Sequence, residues 1–196
     1  MQLIEDFNFD DNFTILTESD RGEKVFRIRG VFSRCNFANR NKRVYHRDVM
    51  EEALNDVSPL LKNGGFVGEL DHPPSPKINM EKISHKITEL AITDDNAVIG
   101  EMIPAGPKKG DLISILEDRI RIGVSTRGTG GLSPYRGPLG EGLLEVQKGF
   151  RLRAIDIVHD PSAGTYPDIV TEATENFMFD VPNNFKAVWD DVFGKK

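Results

Sequence analysis

A serine near the middle of the chain lies among small residues. Ser125 follows Gly123 and Val124 and precedes Gly128. Nucleophilic serine chemistry needs an exposed hydroxyl on tight backbone, a base within reach, and amide groups close to the oxygen that gains charge. Because glycine permits sharp turns, the glycine-rich segment predicts a turn or flap that presents Ser125. On spacing alone, a serine in an ordinary glycine-rich loop is the favoured interpretation.

One of the four histidines stands out as a candidate base. His72 is followed by Pro73 and Pro74, which stiffen the chain, and is preceded by the acidic residues Glu69 and Asp71. The alternative is a histidine in a turn that bonds to local backbone. The other three suit structural roles better: a helix start, a predicted strand and a loop, for His46, His85 and His159 respectively.

A carboxylate interrupts an apolar run near the C-terminal third of the chain. Asp156 lies between Ile155 and Ile157, where a buried charge is expensive unless it has partners. It either orients an imidazole or faces solvent on a one-sided sheet. A metal site is less favoured than serine chemistry, because no compact ligand motif is present, and we expect no cofactor.

Composition limits the class of protein. The chain has 196 residues and a net charge of −6, which fits one soluble domain and argues against direct nucleic-acid binding. Cys35 is the single cysteine, so an intramolecular disulfide is impossible. No stretch has the length and apolarity of a membrane span, and the acidic N-terminus does not resemble a signal peptide. We therefore expect a protein of the cytoplasm, with no membrane partner.

The pattern of apolar residues predicts short strands and about three helices. The predicted strands are Val25–Phe32, Lys82–Leu90 with Ala97–Ile103 as a hairpin, and Leu143–Val146 with Phe150–Val158 as a pair. The predicted helices are His46–Leu61, limited by Pro59, then Gly110–Ile120 and Asn183–Phe193. This α+β pattern favours a mainly antiparallel barrel or sandwich decorated by helices. We assign residues 1–172 to the main domain and 173–196 to an acidic linker and tail helix.

Four blocks in order resemble the prohead core protein proteases of tailed phages. They are Gly30–Phe32 with Asn39–Tyr45, Gly68–Pro74, Gly123–Gly130, and Gly149–Val158 with Pro161–Ala163, and they span roughly residues 25 to 165. The resemblance implies a β-barrel surrounded by helices, like the herpesvirus proteases. Where related sequences carry Asn beside the catalytic histidine, this chain has Asp71.

The resemblance also implies the roles of individual residues. His72 is the base, Ser125 is the nucleophile and Asp156 is the expected third member, while His85 is a weaker candidate because herpesvirus proteases use a second histidine. Amide groups around Ser125 to Arg127, including that of Thr126, are expected to receive the oxyanion. Arg127 either adds charge stabilisation there or holds the loop through a salt bridge.

The resemblance further implies a serine endopeptidase that cleaves after glutamate in Leu/Ile-X-Glu sites. Its substrates would be scaffold and core proteins, the major capsid protein and itself, inside a prohead assembled in the host cytoplasm. We also expect a homo-oligomer. Candidate self-cleavage triplets end at Glu5, Glu18 and Glu172. The cations available to bind a glutamate, none of them assigned, are Arg40, Lys42 and Arg43.

Two other functions remain open from the sequence. The chain could be a catalytically silent core or scaffold protein of the same fold, although the presence of both His72 and Ser125 argues against this. It could also be an unrelated esterase that uses the same serine. The Gly-X-Ser-X-Gly elbow of such hydrolases is absent around Ser125, which weighs against that second possibility.

Overall fold

The computed structural model describes residues 2–7, 13–20, 23–39, 41–71, 73–120, 122–159, 171–172 and 185–194. The strands are β1 Gln2–Phe7, β2 Phe13–Asp20, β3 Glu23–Arg34, β4 Arg43–Tyr45, β5 Val67–Glu69, β6 Ile83–Ile92, β7 Ala97–Pro104, β8 Gly123–Thr129, β9 Leu132–Pro134, β10 Leu144–Val146, β11 Arg151–Val158 and β12 Thr171–Glu172. The helices are α1 Arg47–Lys62, α2 Lys109–Glu117 and α3 Phe185–Phe193, with a 3₁₀ turn at Met80–Lys82.

The largest sheet has six strands in the order β12-β2-β3-β7-β6-β5. Its strand β3 contains the predicted segment and buries Phe26, Ile28 and Phe32, which recur at the two-residue period of a strand. The strands β6 and β7 pair antiparallel and confirm the predicted hairpin. Its turn is closed by the hydroxyl of Thr93, which donates to the carbonyl of Ala97 at 3.0 Å.

A second sheet has the order β1-β8-β11, with both neighbours antiparallel to β8. The prediction of a turn or flap around Ser125 is therefore wrong, because residues 123–129 form the central strand of this sheet. The glycine at 128 serves close packing instead of a turn. A Cβ atom there would collide with the ring of Phe150 and the carbonyl oxygen of Arg151.

The predicted pairing of the strands near 144 and 152 is also wrong. Strand β11 pairs with β8, whereas β10 lies between β4 and β9 in a third, three-stranded sheet. Both segments do form strands, as their apolar patterns predict. The pairing depends on contacts distant in sequence, since β10 runs parallel to β4 about one hundred residues earlier.

One contact joins the two sheets that matter for the site. Leu70, just after β5, forms a parallel bridge with Ile157 of β11. The backbone N–H of the next residue, Asp71, donates to the carbonyl of Ile157 at 2.8 Å. The edge of the six-stranded sheet thus meets the edge of the β1-β8-β11 sheet where β5 ends.

The helices cover the sheets as the apolar spacing predicts. Helix α1 buries Val49, Met50, Ala53 and Val57. Helix α1 continues past Pro59 to Lys62. Because Pro59 lies in the last turn, the backbone hydrogen bond that a proline cannot donate is missing only near the end of the helix. Helix α2 ends at Glu117, three residues before its predicted end. No helix in the described part of the chain is long and apolar enough to cross a membrane.

The C-terminal helix α3 packs on its own domain. Trp189 is 7% exposed and belongs to the main apolar core. The guanidinium of Arg29, on β3, lies 4.5 Å from the centre of the Trp189 ring, while its Nε donates to Glu101 at 2.8 Å. The indole of Trp189 therefore packs against the guanidinium of Arg29, which is held in place by Glu101.

The predicted class, mostly strands with three helices, is confirmed for the described residues. The strand order in each of their three sheets is linear. A closed barrel and the detailed likeness to herpesvirus proteases stay predictions.

We expect Gly128→Ala to destabilise the protein by about 1–3 kcal/mol, because the new methyl group overpacks the contact with Phe150. Gly110→Ala is the matched control, since Gly110 lies in α2 and a Cβ atom added there would meet nothing within 4 Å. That change should be neutral or stabilise by about 0.4–1 kcal/mol. Urea unfolding measures both, and equal effects would contradict the close-packing role of residue 128.

Candidate active site

Ser125 lies in the middle of β8 and is fully buried. Side chains alternate between the faces of a strand, so Ser125 and Arg127 share one face and Val124 and Thr126 the other. Val124 belongs to the apolar core, which identifies the second face as the inner one. Thr126, expected near the oxyanion, is 3% exposed and is paired with Ile155 across the ladder. The candidate catalytic groups of β8, the hydroxyl of Ser125 and the guanidinium of Arg127, therefore lie on the face opposite to the inner one.

Asp156 is the direct cross-strand partner of Ser125. Directly paired residues on antiparallel strands have their side chains on the same face. The carboxylate contacts Arg127 through two nitrogens, Nη2 to Oδ1 at 3.0 Å and Nε to Oδ2 at 2.9 Å. Oδ1 also accepts from the backbone N–H of Glu69 at 3.0 Å. The structure thus brings together three of the residues that the sequence singles out: Ser125, Arg127 and Asp156.

Arg127 is fully buried and its guanidinium is bonded on several sides. Besides Asp156, it contacts Oε1 of Glu69 at 3.2 Å through Nη2. Nη1 donates to the carbonyls of Ser75 at 2.7 Å and Lys77 at 3.4 Å. This geometry corresponds to the salt-bridged arrangement that the sequence left open, because the guanidinium is directed at carboxylates and loop carbonyls.

Glu69 is a residue of this cluster that the sequence does not assign. Its side chain is 0% exposed, and its Oε1 accepts from the backbone N–H of Asn79 at 2.7 Å. The sequence carried a signal, a carboxylate inside a short strand between Gly68 and Leu70. A buried charge in such a place needs a partner. The partner, Arg127, lies 58 positions later, so the pattern alone did not identify it.

The segment that follows β5 carries His72, which lies outside the described residues. Asp71, before it, has a φ of 66°, in the left-handed region that Asn and Asp tolerate best after glycine. Its N–H bonds to Ile157, next to Asp156 in β11. The backbone one residue before His72 is therefore fixed to the strand that pairs with β8. The assignment of His72 as the base stays a prediction.

His85 is enclosed in the core of the protein. Its Nε2 lies 2.8 Å from the carbonyl oxygen of Ile155, so this nitrogen must carry the proton. Its Nδ1 lies 2.8 Å from the hydroxyl of Ser84 and accepts from it. Gly68 makes this possible, because a Cβ there would collide with both the imidazole and Ile155. Burial lowers the pKa of His85 to about 4, against the hydrogen bond to Ile155 and the charge of Asp156. His85 is thus a neutral imidazole whose two nitrogens are already engaged.

The N-terminal strand occupies the second edge of β8. In the antiparallel register of β1 and β8, Glu5 lies opposite Thr126 and Asp6 lies opposite Ser125. Leu3 of the same triplet lies opposite Gly128. The peptide bond after a Leu-Ile-Glu triplet is thus aligned with the position of the candidate nucleophile.

Arg43 of the basic loop and His46 lie at the third sheet, whereas His159 directly follows β11, the strand that carries Asp156. Arg40 is outside the described residues, whereas Arg43 belongs to β4, whose ladder partner is β10. His46 precedes α1 and its Nε2 lies 3.0 Å from Glu145, which is also on β10. A role of the basic loop at the site stays a prediction.

Comparison with known proteins identifies the family. The chain belongs to the prohead core protein serine proteases, whose family model matches residues 14–175. It is 31% identical over 144 residues to the prohead core protein protease of Enterobacteria phage T4. That match covers 69% of this chain and 64% of the relative, so the chain spans a little under two thirds of the relative's length. Among solved structures, the bacteriophage T4 capsid assembly protease, gp21, superposes with a TM-score of 0.69 at 25% identity, over 80% of this chain and 96% of that one.

We expect His85 to remain neutral until the pH approaches 4. Since its folded-state pKa lies below the unfolded value of about 6.5, the unfolded chain binds the proton first. The stability that His85 contributes is therefore complete above pH 6.5 and is lost as the pH falls towards 4. NMR titration of the imidazole resonances measures this directly. Titration of His85 near 6.5 would contradict its enclosure.

Proposed function

We propose that this chain is a serine endopeptidase of the phage prohead that cleaves after glutamate in Leu/Ile-X-Glu sites. Family membership supports a protease, and the register of β1 on β8 supports the site preference. The single observation that carries the proposal is the alignment of the Glu5–Asp6 bond with Thr126 and Ser125. A substrate strand added antiparallel to β8 would present its scissile bond to the same hydroxyl.

The proposed chemistry proceeds through an acyl-enzyme. His72 takes the hydroxyl proton of Ser125 as its oxygen bonds to the peptide carbonyl carbon, and the carbon–nitrogen bond then breaks as His72 returns that proton to the leaving amine. Water, deprotonated by His72, then attacks the ester carbon, and the bond from that carbon to Oγ of Ser125 breaks as His72 returns the proton to Oγ. Asp156, paired with Ser125 in the sheet, is the third member that we propose. Amides of Ser125 to Arg127 are the proposed oxyanion donors.

The wider assignments follow from the same family. We propose that the substrates are scaffold and core proteins, the major capsid protein and the chain itself. The proposed site of action is the prohead interior, assembled in the host cytoplasm, with the protease as a homo-oligomer. We further propose that residues 1–172 form the protease domain and 173–196 a linker and tail helix, with a barrel related to herpesvirus proteases. The burial of Trp189 supports a tail helix that rests on that domain.

Self-cleavage at the N-terminus is the first test. We expect the wild-type chain to lose residues 1–5, because the bond after Glu5 is in register with Ser125. Ser125→Ala should keep an intact N-terminus, and Glu5→Gln should slow the cut at this site. Intact-mass spectrometry after expression reads out all three. Glu18→Gln is the matched control, and removal of residues 1–5 in the Ser125→Ala chain would eliminate this serine from the mechanism.

Cleavage in trans tests the proposed base. We expect His72→Ala to lose as much activity as Ser125→Ala on co-expressed scaffold or capsid protein, because residues that act as a unit give non-additive losses. The wild-type rate should fall as the pH drops below about 6.5, where a free imidazole becomes protonated. A rate that stays constant from pH 8 to pH 5 would contradict a histidine base. His159→Ala is the control histidine variant.

A further inference from the structure

We infer that Glu69 is a positioning residue, which clamps the segment from Asp71 to Asn79 onto the strands that carry Ser125 and Asp156. This inference deepens the proposed function and rests on it, because that segment carries His72. Glu69 itself acts through Arg127 and Asn79, and we assign it no contact with a reacting atom.

The segment is attached at its start, its middle and its end. At the start, the N–H of Asp71 donates to the carbonyl of Ile157 at 2.8 Å. In the middle, Arg127 donates to the carbonyls of Ser75 and Lys77. At the end, the N–H of Asn79 donates to Oε1 of Glu69 at 2.7 Å. Since Glu69 also contacts Arg127, the middle and the end are held through one carboxylate.

A contribution to stability does not by itself explain why these charged side chains are buried. Glu69, Asp156 and Arg127 are all 0% exposed, so two carboxylates face one guanidinium in the interior. Within the described residues, Oε2 of Glu69 has no hydrogen-bond partner. An apolar side chain of similar volume would avoid the desolvation penalty of such a group. An apolar side chain would not provide an oxygen that accepts from the Asn79 amide and contacts the Arg127 guanidinium at the same time.

The function of this arrangement is to fix the distance between the two halves of the site. Ser125 and Asp156 are set by the β8–β11 ladder. The segment from Asp71 to Asn79 belongs to the connection between β5 and β6. A displacement of about 1 Å in a reacting group can lower the rate about 100-fold, so the position of this segment relative to Ser125 matters for catalysis. The shared contacts of Glu69 and Arg127 connect this segment to the ladder by side chains as well as backbone.

Two substitutions separate a geometric clamp from a charge effect. Glu69→Gln keeps the length and the carbonyl acceptor but removes the charge. Glu69→Asp keeps the charge but is one methylene too short to reach Asn79 and Arg127 together. We expect Glu69→Asp to lower kcat about 10- to 100-fold with KM nearly unchanged, and Glu69→Gln to retain most of kcat. Peptide cleavage kinetics measure both. Glu81→Gln is the matched control, because Glu81 is an exposed carboxylate in the same connection.

Amide hydrogen exchange tests the clamp without any need for activity. In the Ser125→Ala background, Glu69→Asp should speed exchange of the Asn79 amide, whereas Glu69→Gln should leave it protected. Wild-type kcat in Glu69→Asp, equal losses in both variants, or unchanged protection of Asn79 in Glu69→Asp would each overturn the inference. Failure of the proposed function is a separate result, because it appears as cleavage that persists when Ser125 is replaced.

Discussion

The buried guanidinium of Arg127 connects the strands of the candidate site with the segment that follows β5. It contacts carboxylates of β5 and β11 and two carbonyls of the connection after β5, while its own backbone lies in β8. Arginine suits this position because its planar fork offers five donors in fixed directions, whereas lysine is a compact point charge. Such a buried network adds little net stability, since desolvation offsets much of the attraction. The network instead connects three strands, because Arg127 of β8 contacts Glu69 of β5 and Asp156 of β11 at the same time.

The dependence of the site on contacts between distant residues explains which of its parts could be predicted from the sequence. The strand and helix patterns depend on neighbouring residues, so the β6–β7 hairpin and α1 could be predicted from spacing. The position of Ser125 in a strand could not. Its glycines suggested a turn, but Gly128 is explained by the ring of Phe150, which comes 22 positions later. Glu69 and Arg127 are likewise charged residues in short strands, and their partners are distant in sequence, so spacing carries no information about such pairs.

The environment of His85 beside β11 explains why this imidazole is unsuited to act as a base. His85 bonds to the carbonyl of Ile155 and to Ser84, and burial holds its pKa far below the range in which a base operates. An imidazole with both nitrogens engaged and a low pKa fixes β6 against β11. His72 follows a residue with a left-handed backbone at the edge of the same strand. Since Asn and Asp both tolerate that conformation, an Asn in place of Asp71 would keep the same backbone.

The proposed Leu/Ile-X-Glu preference matches recognition by strand addition. Residues two apart in an extended strand share a face, so a site that reads the first and third residues of a triplet needs only one side of a bound strand. In the register of β1, those two residues are Leu3 and Glu5, opposite Gly128 and Thr126. The middle residue, Ile4, lies opposite Arg127, whose side chain belongs to the other face. In the proposed mode of binding, the middle residue of a triplet lies on the opposite face of the strand from the first and the third, and this geometry would allow a variable middle residue.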